Sequence, residues 1–232
     1  MFAREASSTM SDRLYGDLRR SIITLALKPG DPISINTIAS NLGISRSPVR
    51  DALLKLEKDA LVDIMPQRGT CVSRIDSERM HEERFLRESL ESPVIELFAQ
   101  RVTAIELARL GERLARQKLC METGDAIGFL DEDDAFHRIF FEGAEKLMCW
   151  DIIVSMSGHY RRVRNLILRN SGVMEALYAQ HCEVLDALSA HNAEVSRSLI
   201  RCHLTRILAE EKDLVAEFPD YFVKRRQVYE IE

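Results

Sequence analysis

The chain has 232 residues, 46% of them hydrophobic and 30% charged, with a net charge of -5. That is enough apolar content for one large core or two modest ones and too much for a disordered chain. No apolar run approaches the roughly 20 residues a bilayer crossing needs, and MFAREASSTMSDR lacks the basic-then-apolar order of a signal peptide, so no membrane partner is expected. The five scattered cysteines include no C-x-x-C pair and read as thiols of a reducing compartment, which predicts a cytoplasmic protein. The charge is uneven along the chain. Residues 1–75 carry 11 Lys+Arg against 8 Asp+Glu, an excess of +3, whereas residues 76–232 carry 21 against 29, or -8, and all six histidines. This asymmetry predicts two domains, 1–75 and 76–232, with different partners.

In the first domain, residues 11–27 place Leu14, Leu18, Ile22 and Leu25 on one helical face. Lys28-Pro29-Gly30-Asp31 signals a turn. A short helix follows, with Ser34 as its cap, Ile35, Ile38, Ala39 and Leu42 on its apolar side, and Gly43 as its stop. Ser45 is placed to cap a third helix. Pro48 then falls at its third position, where a backbone N–H has no intrahelical acceptor to lose. Val49, Ala52, Leu53 and Leu56 face inward, while Arg46 and Arg50 lie one turn apart at the edge of that face, with Ser47 further round. Residues 61–64 and 70–72 read as strands joined through Pro66-Gln67-Arg68-Gly69, a hairpin with a basic tip. Three helices and such a wing predict a winged helix-turn-helix whose third helix enters a DNA groove. The blander alternative is a solvated basic helix in some other helical domain.

Beyond residue 78 the apolar spacing is helical throughout. Helices are expected over 78–91, 93–101, 103–121, 124–142, 145–168, 172–190 and 192–216, with a charged tail after Pro219 expected to fray. The predicted fold is mainly α, a winged helix-turn-helix followed by an all-helical bundle. Asp133 and His137 are one turn apart on one helix, and His181 and His203 fall on two later ones. One carboxylate and three imidazoles facing one another would suit a borderline divalent metal. Spacing alone leaves open that each is a lone polar group near the surface, the reading given to His81, His159 and His191. No H-E-x-x-H occurs, and Cys182 and Cys202 read as small buried residues. Arg87, Arg161, Arg162 and Arg164 are either solvated charges or, pointing inward, partners for an organic carboxylate.

These segments resemble the GntR family of bacterial transcription regulators, in its FadR-like branch with a helical FCD ligand-binding domain. LKPGDPIS, LGISRSPVRDALLKLE and PQRGTCVSRID resemble the family's winged helix almost phrase by phrase. RESLE (87–91) resembles the R-x-x-L-E near the start of the FCD domain, and DDAFHRIF resembles D-x-x-F-H-x-x-L. The resemblance implies a homodimer on a palindromic double-stranded operator, with Arg46, Ser47, Arg50 and Gly69 at DNA-contacting positions; Arg68, the basic residue of the hairpin tip, is expected to contact DNA beside them. Asn36 stands where some members carry a third DNA-contacting arginine. It further implies that Asp133, His137, His181 and His203 hold a divalent ion, Zn²⁺ first with Ni²⁺ or Mn²⁺ as alternatives. A small organic acid or sugar acid would bind beside that ion, with Arg87, Arg161, Arg162 and Arg164 as candidates to hold it. Ala60 replaces a common glycine before the wing, and Gly143-Ala144-Glu145-Lys146 lacks the frequent Gly-Asn.

The expected function is a metabolite-responsive repressor rather than an enzyme. A helical metalloenzyme joined to a DNA-binding domain is the rival. It would need an acid or base poised beside the metal, and Glu132 and Asp134, as immediate neighbours of Asp133, are expected to point away. A helical scaffold without any ligand is the third alternative.

Overall fold

The structure, a computed structural model, describes residues 9–170 and 172–223. The chain divides into two compact units, one running to Asp76 and resuming at Phe218, the other Ser77–Glu217.

The first unit contains α1 (Met10–Ile23), β1 (Pro32–Ile33), α2 (Ile35–Leu42), α3 (Arg46–Lys58), β2 (Val62–Met65) and β3 (Gly69–Val72). Thr9 and Asp12 cap the start of α1 reciprocally. The helix ends at Ile23 rather than at residue 27, because Leu25 takes left-handed backbone (φ 61°) while its side chain stays buried. Ser34 Oγ accepts the Thr37 N–H at 3.2 Å, and Gly43 closes α2 in left-handed conformation (φ 63°). Ser45 occupies the cap position of α3, but its side chain makes no capping bond; Pro48 is the third helical residue. Leu14, Ile22, Val49, Ala52, Leu53 and Leu56 form the core with Val62 and Val72 of the sheet. The sheet is antiparallel in the order β1-β3-β2, with Pro32 opposite Cys71 and Ile64 opposite Thr70. The wing turns through Pro66 and left-handed Gln67 (φ 62°), closed by an Arg68 N–H to Met65 C=O bond of 3.1 Å. The tail does not fray over its described part: Tyr221 C=O accepts the Ile75 N–H at 2.7 Å, and Val223 N–H donates to Ile75 C=O at 2.9 Å. Residues 224–232 lie outside the described residues.

The second unit is all helical: α4 (Ser77–Ala99), α5 (Ala104–Thr123), α6 (Ala126–Gly143), α7 (Leu147–Ser155), α8 (Gly158–Ile167), α9 (Val173–Ser189), α10 (Ala193–Thr205) and α11 (Ile207–Glu217). The break expected before Pro93 is absent. Val94, Ile95, Phe98 and Ala99 are all buried, and that packing outweighs the hydrogen bond the proline removes. The single helix expected over 145–168 is two, divided at Met156–Ser157. Ser157 makes no side-chain cap for α8, and buried Glu83 of α4 does so instead, accepting the N–H groups of His159 and Tyr160 at 2.8 Å each. The helix expected over 192–216 likewise divides at Arg206. The core gathers Phe98, Phe136, Phe140, Phe141, Val184 and Ile200. At Gly143 a Cβ would come within 2.3 Å of the Phe98 ring, so the end of α6 can approach α4 only without a side chain. Among the described residues no helix is long and apolar enough to cross a membrane.

Candidate metal centre and nucleic-acid surface

Asp133 and His137 of α6, His181 of α9 and His203 of α10 are all buried, and one ligand atom from each lies within 4.8 Å of the others. His203 Nε2 is 3.2 Å from His137 Nε2 and 3.3 Å from His181 Nε2. Asp133 Oδ1 is 3.5 Å from His181 Nε2 and 3.9 Å from His203 Nε2; its Oδ2 is 3.7 Å from His137 Nε2. The outward nitrogens are all engaged. His137 Nδ1 meets Glu91 Oε1, whose other oxygen accepts Arg87 Nε–H at 2.9 Å. His181 Nδ1 meets Gln117 Oε1 at 2.7 Å, and that amide is oriented by its own Nε2–H bond to Glu132 C=O at 3.3 Å. His203 Nδ1 meets Gln180 Oε1 at 3.2 Å.

These partners are acceptors, so the network assigns the proton of each imidazole to Nδ1 and leaves three Nε2 lone pairs converging with no donor between them. Such an arrangement is repulsive unless a cation sits among them. An ion with metal–nitrogen bonds of about 2.0–2.1 Å has ligand–ligand edges of about 3.0–3.4 Å, the spacing seen here. Burial pushes the His181 imidazolium down to about 3 against the pull of Asp133. Burial, then the neighbouring His181 and His137, holds His203 well below the usual imidazole range. Both are therefore neutral at pH 7, the form that ligates. Burial opposes the charge on Asp133, but the Arg164 guanidinium beside it, the largest opposing influence, keeps the carboxyl below its ordinary range.

The four arginines of interest are placed differently. Arg164 bonds Asp133 through Nη2 and Asp134 through Nη1 at 2.7 Å. Arg161 pairs with Asp134 at 2.7 Å, and Arg87 with Glu91. Arg162 is fully buried, its Nε–H on Gly158 C=O at 3.3 Å and its Nη2 on His159 Nδ1 at 3.1 Å. A small recess, with a cavity volume of about 30 Å³ and partly open to solvent, is lined by Asp133, His203, Tyr160 and Arg164, together with Arg206. Arg87, Arg161 and Arg162 do not line it. His159, expected near the surface, is buried as the partner of Arg162. His81 pairs with Glu211 at 2.8 Å, and His191 Nδ1 lies 3.0 Å from Ala99 C=O.

Four contributors escaped the sequence reading: Glu91, Gln117, Gln180 and Arg206. Glu91 is one turn beyond Arg87, a readable pair. Gln117 continues the inward face of Leu110 and Leu114, and a polar residue at such a position was a usable signal. Gln180 and Arg206 carried none.

In the first unit Asn36, Arg46, Ser47, Arg50, Arg68 and Gly69 are all exposed. Asn36, Gly43, Ser45 and Arg46 line one surface recess at the turn between α2 and α3. Arg50 lies one turn further along α3, and Gly69 holds the wing tip in left-handed backbone at φ 96°. The guanidinium groups of Arg46, Arg50 and Arg68 have no ion-pair or hydrogen-bond partner among the described residues.

Comparison with known proteins agrees on both units. Residues 10–72 match the family described as bacterial regulatory proteins, gntR family, and residues 84–206 match the FCD domain. The chain is 28% identical to the HTH-type transcriptional repressor RspR of Escherichia coli K12, over 92% of this chain and 93% of that one. It is 30% identical to an HTH-type transcriptional regulator in an unstable DNA locus of Streptomyces ambofaciens, over 90% and 88%. Among solved structures, a putative GntR transcriptional regulator from Rhodococcus sp. RHA1 aligns with a TM-score of 0.74 at 26% identity, covering 89% of this chain and 98% of that one. E. coli McbR/YncC shares the fold with a TM-score of 0.77 at 21% identity, over 89% and 99%. The chain belongs to the GntR family with an FCD domain, and is a metabolite-responsive, DNA-binding transcription regulator rather than an enzyme.

Proposed function

We propose that the protein is a repressor of the FadR-like branch that leaves a palindromic operator when a small carboxylate binds beside a divalent ion. Asp133, His137, His181 and His203 hold the ion, Zn²⁺ first. The observation that carries this reading is the convergence of three Nε2 lone pairs whose opposite nitrogens are all engaged. The ion supplies a positive centre that accepts a carboxylate oxygen. Arg164 keeps Asp133 ionised, and Tyr160 and Arg164 face the recess the acid would enter.

On DNA, Arg46 and Arg50 reach base edges or the adjoining phosphates, with Ser47 and Asn36 beside them and Arg68-Gly69 at the wing tip. One such surface makes few base contacts, so operator affinity of about 10⁻⁸ M needs two copies on a two-fold site. Release requires the acid to bind one conformation of the protein better than the other. A covalent route for that bias exists. Helix α11, whose Glu210 lines the recess, continues directly into the 218–223 segment that pairs with Ile75 of the DNA-binding unit.

The test is operator selection with the full-length protein, metal analysis after offering Zn²⁺, Ni²⁺ and Mn²⁺ in turn, and sedimentation with and without operator. One ion per chain and a dimer on a palindrome are expected. Absence of all three metals above trace would overturn the site, and a monomer both free and on DNA would overturn the two-copy reading.

A further inference from the structure

The recess beside the metal cluster is chemically lopsided. Asp133, His203, Tyr160 and Arg164 make one polar set, whereas the end of α8 and the start of α9 contribute Ile167, Leu168, Val173 and Leu177. Arg164 is already committed to Asp133 and Asp134. Arg206 is not: its guanidinium has no ion-pair or hydrogen-bond partner among the described residues, and its Nε is buried and unmatched. Glu210 of α11 lines the recess too but makes no ion pair with Arg206 among the described residues, so the lining holds an unpartnered guanidinium and a wall of four aliphatic side chains that offer neither donor nor acceptor.

We infer that the effector is an apolar-bodied monocarboxylate, free of hydroxyl groups along its body, with Arg206 as a second anchor for its carboxylate. This rests on the proposed function and narrows it. A sugar acid of the same length would press several hydroxyls against Ile167, Leu168, Val173 and Leu177. Each hydroxyl stripped of water without a replacement bond weakens binding about tenfold or more. Burial of a short alkyl or ring body against the same wall instead gains affinity with each methylene. A carboxylate at the cluster end answers Arg206, whereas an uncharged apolar ligand would leave its buried Nε–H unmatched.

The experiment is calorimetric titration of the zinc-loaded full-length protein with butyrate, 3-methylbutyrate, hexanoate, glycerate and gluconate, repeated as release from the selected operator. Hexanoate or 3-methylbutyrate should bind at least about tenfold more tightly than gluconate. Leu177→Ser should shrink that preference, and Arg206→Gln should weaken every acid about tenfold with zinc content unchanged. Gluconate or glycerate binding as tightly as the aliphatic acids would overturn the inference and leave the carboxylate-beside-metal reading standing. An Arg206→Gln protein with unaltered affinities would remove Arg206 as anchor. If the zinc-loaded protein binds none of the five acids, the proposed function fails and takes this inference with it.

Discussion

The two units use arginine in opposite ways. In the winged helix, Arg46, Arg50 and Arg68 stand in water without a partner among the described residues. In the helical unit, Arg87, Arg161 and Arg164 are at most 15% exposed and each is bonded to a carboxylate. A solvated, unpaired guanidinium gives up little of the fold's stability when it is handed to a phosphate or a guanine edge. A buried, paired one is part of the fold, and its charge is already spent on the groups around the candidate metal cluster. The first kind is read by removing it and watching DNA; the second by removing it and watching stability.

The sharpest way to break that contrast is Arg164→Ala set beside Arg46→Ala. Losing Arg164 strands Asp133 and Asp134, both buried, so unfolding of the metal-free protein in urea should lose about 3–5 kcal/mol. Arg46→Ala should stay within about 0.5 kcal/mol of the parent. Equal losses in the two variants would erase the distinction.

Acidification probes the same buried centre. His181 is pushed from 6.5 to about 3 in the folded chain, and His203 well below 6.5, both by burial first. The unfolded chain therefore takes up protons first. Stability of the metal-free protein is complete above about pH 6.5 and is lost as pH falls from there towards the folded value. The same depression moves proton competition for the metal below the free-imidazole range of about 6–7, where occupancy would otherwise begin to fall. Chemical denaturation across pH 4–8 checks the sign, and a stability that rises on acidification would contradict neutral buried histidines.

Much of the DNA-binding unit was readable because its signals are local: Ser34, Gly43, Pro48 and the wing's Pro-Gln-Arg-Gly each act within a few residues of themselves. What was missed there, β1, is two residues long and too short to show alternation. In the helical unit the ligand types were readable from Asp133 to His203, but their meeting depends on how α6, α9 and α10 pack. The apolar period is the same whatever a helix packs against. Pro93 misled because burial beyond it decides the matter, and the division before α8 was invisible because its cap, Glu83, lies more than seventy residues earlier in the chain.

The groups behind the proposed metal ligands sharpen the comparison at the level of single hydrogen bonds. Gln117→Leu keeps the volume near His181 but removes the acceptor that fixes its tautomer, and zinc affinity should fall about 10–100-fold. His203→Ala and Asp133→Ala should lose more metal still, keep operator binding and abolish release by acids. Competition with a chromophoric chelator measures each. An unchanged affinity in Gln117→Leu would mean that the hydrogen bond does not orient the ring.

On the exposed side, Arg50→Ala and Arg46→Ala should each cost about 1–3 kcal/mol per half-site and relax preference at one base, if the contact is bidentate to guanine. A contact to phosphate alone would weaken all sequences alike and lower the salt slope by about one. Titration on operator and scrambled duplexes separates the two, and unchanged affinity in both variants would remove α3 from the groove.

The smallest expected effect lies where the recognition helix hands over to the wing. Ala60 adopts left-handed backbone at φ 55°, at the position where the family commonly has glycine. A Cβ in that region costs roughly 1–2 kcal/mol, and the turn is held regardless by Leu61 N–H on Leu56 C=O at 2.9 Å and by Ser73 Oγ–H on Ala60 C=O at 2.6 Å. Glycine would relieve the clash but give back part of the gain through its freer unfolded chain. Ala60→Gly should therefore stabilise the protein by about 0.5–1 kcal/mol in denaturant titration, with operator affinity unchanged because every bond that sets the wing remains. A glycine variant less stable than the parent would mean that Ala60 packs too well for its strain to matter.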